Sequence, residues 1–429
     1  MEPVLSRNFD LPRPPDLAQY RARGGYRALA AALEQKPEDL IDQVGQTALC
    51  GYGGAGFPLA RKWSAVAADA PRPHYMVINL DETEPGSFKD RQLLYRDPHQ
   101  IVEAILVGGY IQGADRAFVF VRGEYAEGAQ GLQRAVDEAR AAGLVGHKVL
   151  GSGYSLDIDV HLSAGRYICG EETALLNALE GRRANPRAKP PFPFVKGLWD
   201  RPTLVNNVET VCQVPGIVLE GPDWFKAQGI NGGQGTKLYT VCGPVEKPGF
   251  WELPMGTTAR ELIYEHAGGL LDGRELIAFL PGGASTAFLL PEHLDTPMYF
   301  EAVAKLRSRF GTCGIIVLDD ATCPLDFLIA TNKFFVRESC GFCTPCRDGL
   351  PYVQDILERI EAGRGKPGDR ELLLELCGKI APNSFCALAP GAVMPLESGL
   401  DLFADVIERH IDEGGCPWQQ QHEPVREVL

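Results

Sequence analysis

Residues 339 to 347, Ser-Cys-Gly-Phe-Cys-Thr-Pro-Cys-Arg, constrain this chain more than any other stretch. Cys340, Cys343 and Cys346 stand at C-x2-C-x2-C spacing. Two residues between thiols let one tight loop aim several sulfurs into a small volume, which a cubane iron–sulfur cluster needs. Zinc sites more often pair two cysteines and bring a second pair from further along. A disulfide knot suits small secreted domains, and a chain of 429 residues is not small. The loop therefore reads as iron–sulfur, with zinc as the alternative. A [4Fe–4S] cluster takes four thiolates, so another cysteine must come from outside the loop. Cys377, Cys386 and Cys416 lie downstream. Cys386 follows the turn-like break Pro382-Asn383-Ser384-Phe385, whereas Cys377 sits inside a helical pattern, and Cys386 is favoured.

Forty-five per cent hydrophobic content supports a large core and two to four domains. A net charge of −14 argues against nucleic acid, which needs a basic face. The start, Met1 to Asn8, is polar and does not read as a signal peptide. The apolar run from Ile101 to Ile111 is too short for a bilayer. A soluble, cytoplasmic protein is expected. The remaining cysteines, among them Cys50, Cys169, Cys212, Cys242, Cys313 and Cys323, read as inert buried thiols.

Helical patterns at Leu17 to Gln35 and Pro37 to Ala48 precede a run of glycines, Gly51, Gly53, Gly54 and Gly56. Glycine lets backbone amides approach a phosphate, and a helix expected over Phe57 to Ala68 would offer its positive end. The letters satisfy G-x-G-x-x-G, but what precedes them reads as helix rather than strand, so the motif is weak alone. Lys62 adds a cation. An α/β alternation follows. Strands are expected at Tyr75 to Asn79, Arg116 to Val121, Lys148 to Leu150 and Asp157 to Leu162, with helices at Ile101 to Gln112 and Ala126 to Ala142. Helical crossovers imply a largely parallel sheet with ligands at the strands' carboxyl ends. The polar cluster from Asn79 to Glu84 lies at such an end. It is a ribityl or ribose contact on one reading and a solvated acidic turn on the other. Glu171 and Glu172 open a helix, where they could simply complement its dipole. The basic, proline-rich segment from Gly181 to Pro193 reads as an extended loop facing the acidic strand ends. Asn206 and Asn207 open another helix, with amides suited to a flavin.

Taken together, these segments resemble the NADH-binding flavoprotein subunit of respiratory complex I, the proton-pumping NADH:quinone oxidoreductase. The matching runs are Gly53–Phe57, Asp81–Gly86, Tyr167–Leu175, Lys189–Pro193, Asn206–Thr210 and Glu338–Gly341. The resemblance implies FMN, a [4Fe–4S] cluster, and NADH as substrate. It implies FMN contacts at Gly51, Gly53, Lys62, Asn79, Asp81, Tyr167, Gly170, Glu171, Asn206, Asn207 and Thr210, with Gly54, Gly56, Glu82 and Val205 completing the set. It implies NADH contacts at Phe57, Glu84, Glu172, Lys189 and Phe192. Cluster ligands would be Cys340, Cys343, Cys346 and Cys386. No side chain need act as acid or base: hydride passes from NADH to FMN, and single electrons leave through the cluster. The family usually has arginine where this chain has Tyr52, and alanine where it has Leu80.

The implied architecture is a Rossmann-like α/β flavin domain with a parallel sheet (1–234), then a β-grasp, ubiquitin-like module (235–320). A helical bundle carrying the cluster (321–415) and a polar, disordered tail (416–429) complete it. Within the bundle, helices are expected at Cys323 to Phe335, Pro351 to Ala362, Arg370 to Ile380 and Ser398 to Asp412. Implied partners are a thioredoxin-like [2Fe–2S] subunit and a large iron–sulfur subunit of the same complex. The chain would sit in the peripheral arm, on the cytoplasmic side of the inner membrane, without a membrane segment of its own. Two rival readings are a diaphorase subunit serving a hydrogenase or formate dehydrogenase, and a non-enzymatic iron–sulfur sensor.

Overall fold

The computed structural model describes residues 2–67 and 69–418. The chain divides into two compact units: Met1–Thr83 with Phe88–Tyr239 and Phe250–Thr257, and Glu84–Ser87 with Thr240–Gly249 and Thr258–Leu429.

Four strands form the sheet of the first unit: β1 (Tyr75–Leu80), β2 (Arg116–Val121), β3 (Asp157–Leu162) and β4 (Thr203–Asn207). Their order is β3-β2-β1-β4, and every neighbouring pair is parallel. Met76, Val77 and Ile78 of β1 and Ala117, Val119 and Val121 of β2 are fully buried, as in a sheet covered on both faces. The crossover from β1 to β2 runs through helices Asp90–Arg96 and Pro98–Gln112, and that from β2 to β3 through helix Ala126–Ala141. The chain winds outward from β1 through β2 to β3 and then returns to β1's other side as β4. The strand order therefore reverses between β1 and β4, and ligands of open α/β sheets bind where it does, beyond the carboxyl ends.

Beneath that point lies a group of buried charges. Lys89 Nζ stands 2.6 Å from Asp90 and 2.8 Å from Glu209. Lys237 Nζ donates to both oxygens of Glu209, at 3.0 and 2.8 Å, and the Leu238 amide donates to the same carboxylate at 2.8 Å. Burial pushes the Glu209 carboxyl up, but Lys237 and Lys89 outweigh it and hold it below its ordinary value.

In the second unit, the strand Leu276–Leu280 runs antiparallel to the strand Gly314–Asp319. The latter pairs in parallel with the last residues of the strand Thr236–Cys242, from Thr240 to Cys242. The helices Pro324–Glu338, Leu350–Arg359, Asp369–Ile380, Leu388–Leu402 and Ala404–Asp412 follow. No helix among the described residues is long and apolar enough to cross a membrane.

Several sequence expectations are corrected. The helix expected over Leu17 to Gln35 is two, Leu17–Ala22 and Arg27–Leu33. Gly24 and Tyr26 between them have φ of 89° and 63°, outside helical space. Lys148 to Leu150 is no strand: Lys148 and Leu150 have φ of 52° and 51°, in a 3₁₀ turn. Leu59–Trp63 is all that forms of the helix expected over Phe57 to Ala68. Ser398 to Asp412 is not one helix but the end of Leu388–Leu402, which tolerates Pro395, and then Ala404–Asp412. Of the tail expected to be disordered, residues 416–418 are ordered, with the Trp418 ring stacked on His410, while 419–429 lie outside the described residues.

Replacing Glu209 by alanine takes from buried Lys237 the carboxylate it bonds and leaves Lys89 with Asp90. Breaking a buried pair in this way costs roughly 3–5 kcal/mol. Urea denaturation of the Glu209→Ala variant is expected to give a midpoint lowered accordingly, and an unchanged midpoint would contradict the role assigned to the network.

Candidate flavin and iron–sulfur sites

The glycine run forms a loop closed at its neck. Cys50 and Pro58 make an antiparallel bridge, the Gly51 amide donates to Phe57 O at 3.0 Å, and the Gly56 amide returns to Gly51 O at 3.1 Å. The loop thus does not follow a strand, as its sequence context suggested. A methyl group at Gly51 would lie 3.8 Å from the amide nitrogens of Gly56 and Phe57, so glycine leaves the inner face of the loop open. Gly53 packs on Asn207, whose Cβ a side chain would meet at 3.1 Å. The Tyr52 amide donates to Thr210 Oγ1 at 2.8 Å, tying the loop to the helix that follows β4.

At the switch point, Asn79 of β1 and Asn207 of β4 are partners in register. Asn79 Oδ1 accepts from the Asp81 amide at 3.0 Å, and its Nδ2 reaches toward Gly170 O at 3.5 Å. Asn207 Nδ2 donates to Asp90 at 2.8 Å. Asn206 Oδ1 is held by Trp63 Nε1 at 3.1 Å, and Ser163 Oγ donates to Asp81 at 3.1 Å. Tyr167 and Gly170 lie in a 3₁₀ turn leading into helix Glu172–Leu179, and Gly170 is exposed with open space where a side chain would be.

Four charged groups meet here. Lys62 Nζ donates to the Val205 carbonyl and stands 3.7 Å from Glu172. Lys189 Nζ bonds Glu171 at 3.0 Å and Glu172 at 2.8 Å. Burial pulls the Lys62 ammonium below its ordinary value, with Glu172 opposing. Burial pushes Glu172 up, but Lys62 and Lys189 more than reverse it. Glu171 also caps its helix, taking the amides of Thr173 at 2.9 Å and Ala174 at 2.8 Å. Phe57 and Phe192 are about half exposed, at 46% and 45%, as aromatic faces open to a planar ligand.

Glu82 has a different surrounding. Its carboxylate accepts from the amides of Lys89 at 2.7 Å, Asp90 at 2.9 Å and Arg91 at 3.2 Å, so it caps helix Asp90–Arg96. Glu84 belongs to the second unit, where its Oε1 accepts from the Ser285 amide at 2.7 Å. Lys89, Asp90, Glu209, Lys237 and Trp63 were not found by sequence reasoning. The one signal available was a charge set beside an apolar run, as at Lys237.

In the second unit, the loop after helix Pro324–Glu338 carries Cys340 and Cys343, and Cys346 sits in the π-helical turn Pro345–Gly349 that follows. The Cys346 thiol is pushed up to about 11, first by burial and then by Cys343, Cys386 and Cys340, with the Ser339 hydroxyl, 3.0 Å away, opposing. Cys386 therefore lies within electrostatic reach of the loop. Phe342 and Phe385, the neighbours of two of these cysteines, meet edge to face at 5.1 Å and join the two segments. Cys377 is buried in its helix with Glu397 and Asp401 as its charged neighbours. This donor set suits four thiolates at the corners of a cubane.

The fold and these sites define a flavin- and iron–sulfur-binding redox subunit. Residues 44–216 match the family model described as the Nuo51 FMN-binding domain. Residues 238–289 match the SLBB domain, and residues 326–410 the NADH-ubiquinone oxidoreductase-F iron-sulfur binding region. The chain belongs to the family of F subunits of NADH-quinone oxidoreductase. It is 47% identical to the F 2 subunit of that enzyme from Rhizobium meliloti, covering 97% of this chain and 99% of that one. It is 46% identical to the F subunit from Escherichia coli, covering 98% and 94%. Among solved structures it resembles an NAD+-reducing [NiFe]-hydrogenase in the air-oxidized state, with a TM-score of 0.81 and 30% identity over 97% of this chain and 67% of that one.

Cys386→Ser is expected to abolish or convert the reduced-state EPR signal of the cluster while flavin stays bound, and Cys377→Ser to leave the signal intact. The reverse pair of results would move the fourth ligand to Cys377.

Proposed function

We propose that this chain oxidises NADH at an FMN held beyond β1 and β4 and delivers electrons singly to a [4Fe–4S] cluster. The observation that carries this reading is the registered pair Asn79 and Asn207 at the reversal of strand order, with Lys62 beside it. Bound together, the two cofactors supply the conversion of a two-electron hydride transfer into one-electron steps. The chain's own residues bind and orient. The glycine loop and Lys62 face the flavin's phosphate, Asn79, Asn206 and Asn207 hold its polar edge, and Phe57 and Phe192 flank the nucleotide. Lys189, fixed between Glu171 and Glu172, sets the local charge to which the dinucleotide must adapt. Cys340, Cys343, Cys346 and Cys386 hold the cluster. Asp81 and Glu82 act one step back, Glu82 through the helix that it caps.

Membership of the family places the chain in a multi-subunit oxidoreductase. We further propose a thioredoxin-like [2Fe–2S] subunit and a large iron–sulfur subunit as its neighbours, and a peripheral position on the cytoplasmic face of the inner membrane. The division at 234, 320 and 415 into flavin, β-grasp and cluster-bearing parts is part of the same proposal. The likeness to the NAD+-reducing hydrogenase supports a second reading, a diaphorase feeding another acceptor. Higher identity to the quinone-linked subunits over nearly their whole length favours the first.

The purified chain is expected to show flavin absorbance and to reduce ferricyanide with NADH, but not quinone. Inhibitor-sensitive quinone reduction by the isolated chain would overturn the division of labour. Lys62→Ala removes one charge-assisted contact, worth about 1.5–3 kcal/mol, so FMN should bind roughly ten- to a hundredfold more weakly. Flavin and iron assays on the same sample test this: flavin should fall while iron holds, and undiminished flavin would remove Lys62 from the site.

A further inference from the structure

Cys323, Glu361, His410 and Cys416 come from four separate places in the second unit, yet one ligand atom from each lies within 4.8 Å of all the others. Among the described residues this is the one group of its kind, and it shares no residue with the cysteine loop. Its inner distances are specific. Cys323 Sγ is 3.7 Å from Cys416 Sγ and 3.4 Å from His410 Nε2, and His410 Nε2 is 3.4 Å from Glu361 Oε2. Zinc–sulfur bonds of about 2.3 Å and zinc–nitrogen or –oxygen bonds of about 2.0–2.1 Å, at tetrahedral angles, give edges of about 3.8, 3.5 and 3.4 Å for these three pairs. Three of the six edges of such a tetrahedron thus have the lengths an ion would impose, and the other three are no longer than 4.8 Å.

The hydrogen bonds around the group agree. His410 is fully buried, and its Nδ1 donates to the Val406 carbonyl at 2.6 Å. In the neutral ring that bond leaves Nε2 with its lone pair, facing the thiols and Glu361, the orientation in which second-shell carbonyls fix metal-binding histidines. Glu361 Oε2 is buried without a hydrogen bond from nitrogen or oxygen. A lone pair and a carboxylate oxygen face each other across 3.4 Å, an arrangement that a cation between them stabilises. Cys323 caps the amino end of helix Pro324–Glu338, where the helix dipole favours a thiolate. Trp418 covers His410 from outside, its ring stacked at 6.0 Å, and Arg409 lies over Trp418.

We propose that Cys323, Glu361, His410 and Cys416 form a structural zinc site, separate from the iron–sulfur cluster. All four positions of the tetrahedron are filled by side chains, so the site is closed and carries no reacting water. Binding releases the two thiol protons and leaves the ion neutralised by two thiolates, with the carboxylate as an additional charge. The ion would pin the segment after the last helix to the start of helix Pro324–Glu338 and to the turn at Ile360–Arg364. The two helices that flank the cysteine loop, Pro324–Glu338 and Leu350–Arg359, would thereby be clamped at their far ends.

The test uses the full chain purified with its cluster. Elemental analysis is expected to find about one zinc per chain beside the iron, and X-ray absorption at the zinc edge a mixed shell of two sulfurs and two lighter ligands. Cys416→Ser, changed at a half-buried position near the end of the described chain, should lose the zinc and keep its iron and flavin. Glu361→Gln should weaken zinc retention against a chelator without changing the iron content. Absence of zinc, an all-sulfur shell, zinc retained in Cys416→Ser, or a Cys323–Cys416 disulfide found by mass spectrometry would each overturn the proposal.

Discussion

The flavin-binding half depends on a buried ion network. Lys89, Asp90, Glu209 and Lys237 carry two charges of each sign and are all nearly inaccessible to water. Such a group stabilises little in itself, because desolvation cancels most of the attraction; its larger effect is to fix relative positions. Glu82, just past β1, caps the helix that begins at Asp90, and Asp90 receives the side chain of Asn207 at the end of β4. Glu209, just beyond Asn207, closes on Lys89 and on Lys237. The ends of β1 and β4 are thus tied through one network, and the asparagines that flank the switch point inherit its rigidity.

The two proposed redox sites are built on different physics. The flavin site uses regular structure: strand ends set the spacing, glycines clear the space, and one lysine is held by a strand carbonyl. The cluster site uses irregular structure. Cys340 to Cys346 follow a helix end, and Cys386 follows the break after Ile380, so four sulfurs can converge without a common register. The aromatic contact between Phe342 and Phe385 keeps the two irregular segments together. A sheet edge suits a long flat cofactor, and converging loops suit a compact one.

The parallel sheet was legible because β1 and β2 are near-continuous apolar runs separated by helical periodicity. The cysteine loop was legible because its spacing has few uses. Boundaries were lost where backbone geometry overrode pattern. Tyr26 and Leu150 occupy left-handed conformations that neither residue advertises, and Pro395 lies inside a helix that its presence argued against. Glu82, which the resemblance implies as a flavin contact, accepts three amides of the helix it caps, and composition alone does not separate a helix cap from a binding group. The buried ions were invisible for a related reason. Lys89 and Glu209 are eye-catching only once the fold brings them together across the length of a crossover.

Tyr52 stands where the sequence resemblance implies an arginine, and its surroundings suit an aromatic ring. The side chain is buried at 1% exposure, and Lys237 Nζ lies 5.7 Å from the centre of its ring. A guanidinium in that place would set a second cation against Lys237, whose charge Glu209 already shares with Lys89. An aromatic face instead attracts the ammonium. The backbone contribution of residue 52 survives the change, since its amide still reaches Thr210 Oγ1. The loop therefore keeps its closed shape through main-chain bonds, while the residue beneath it answers to the ion network rather than to the ligand.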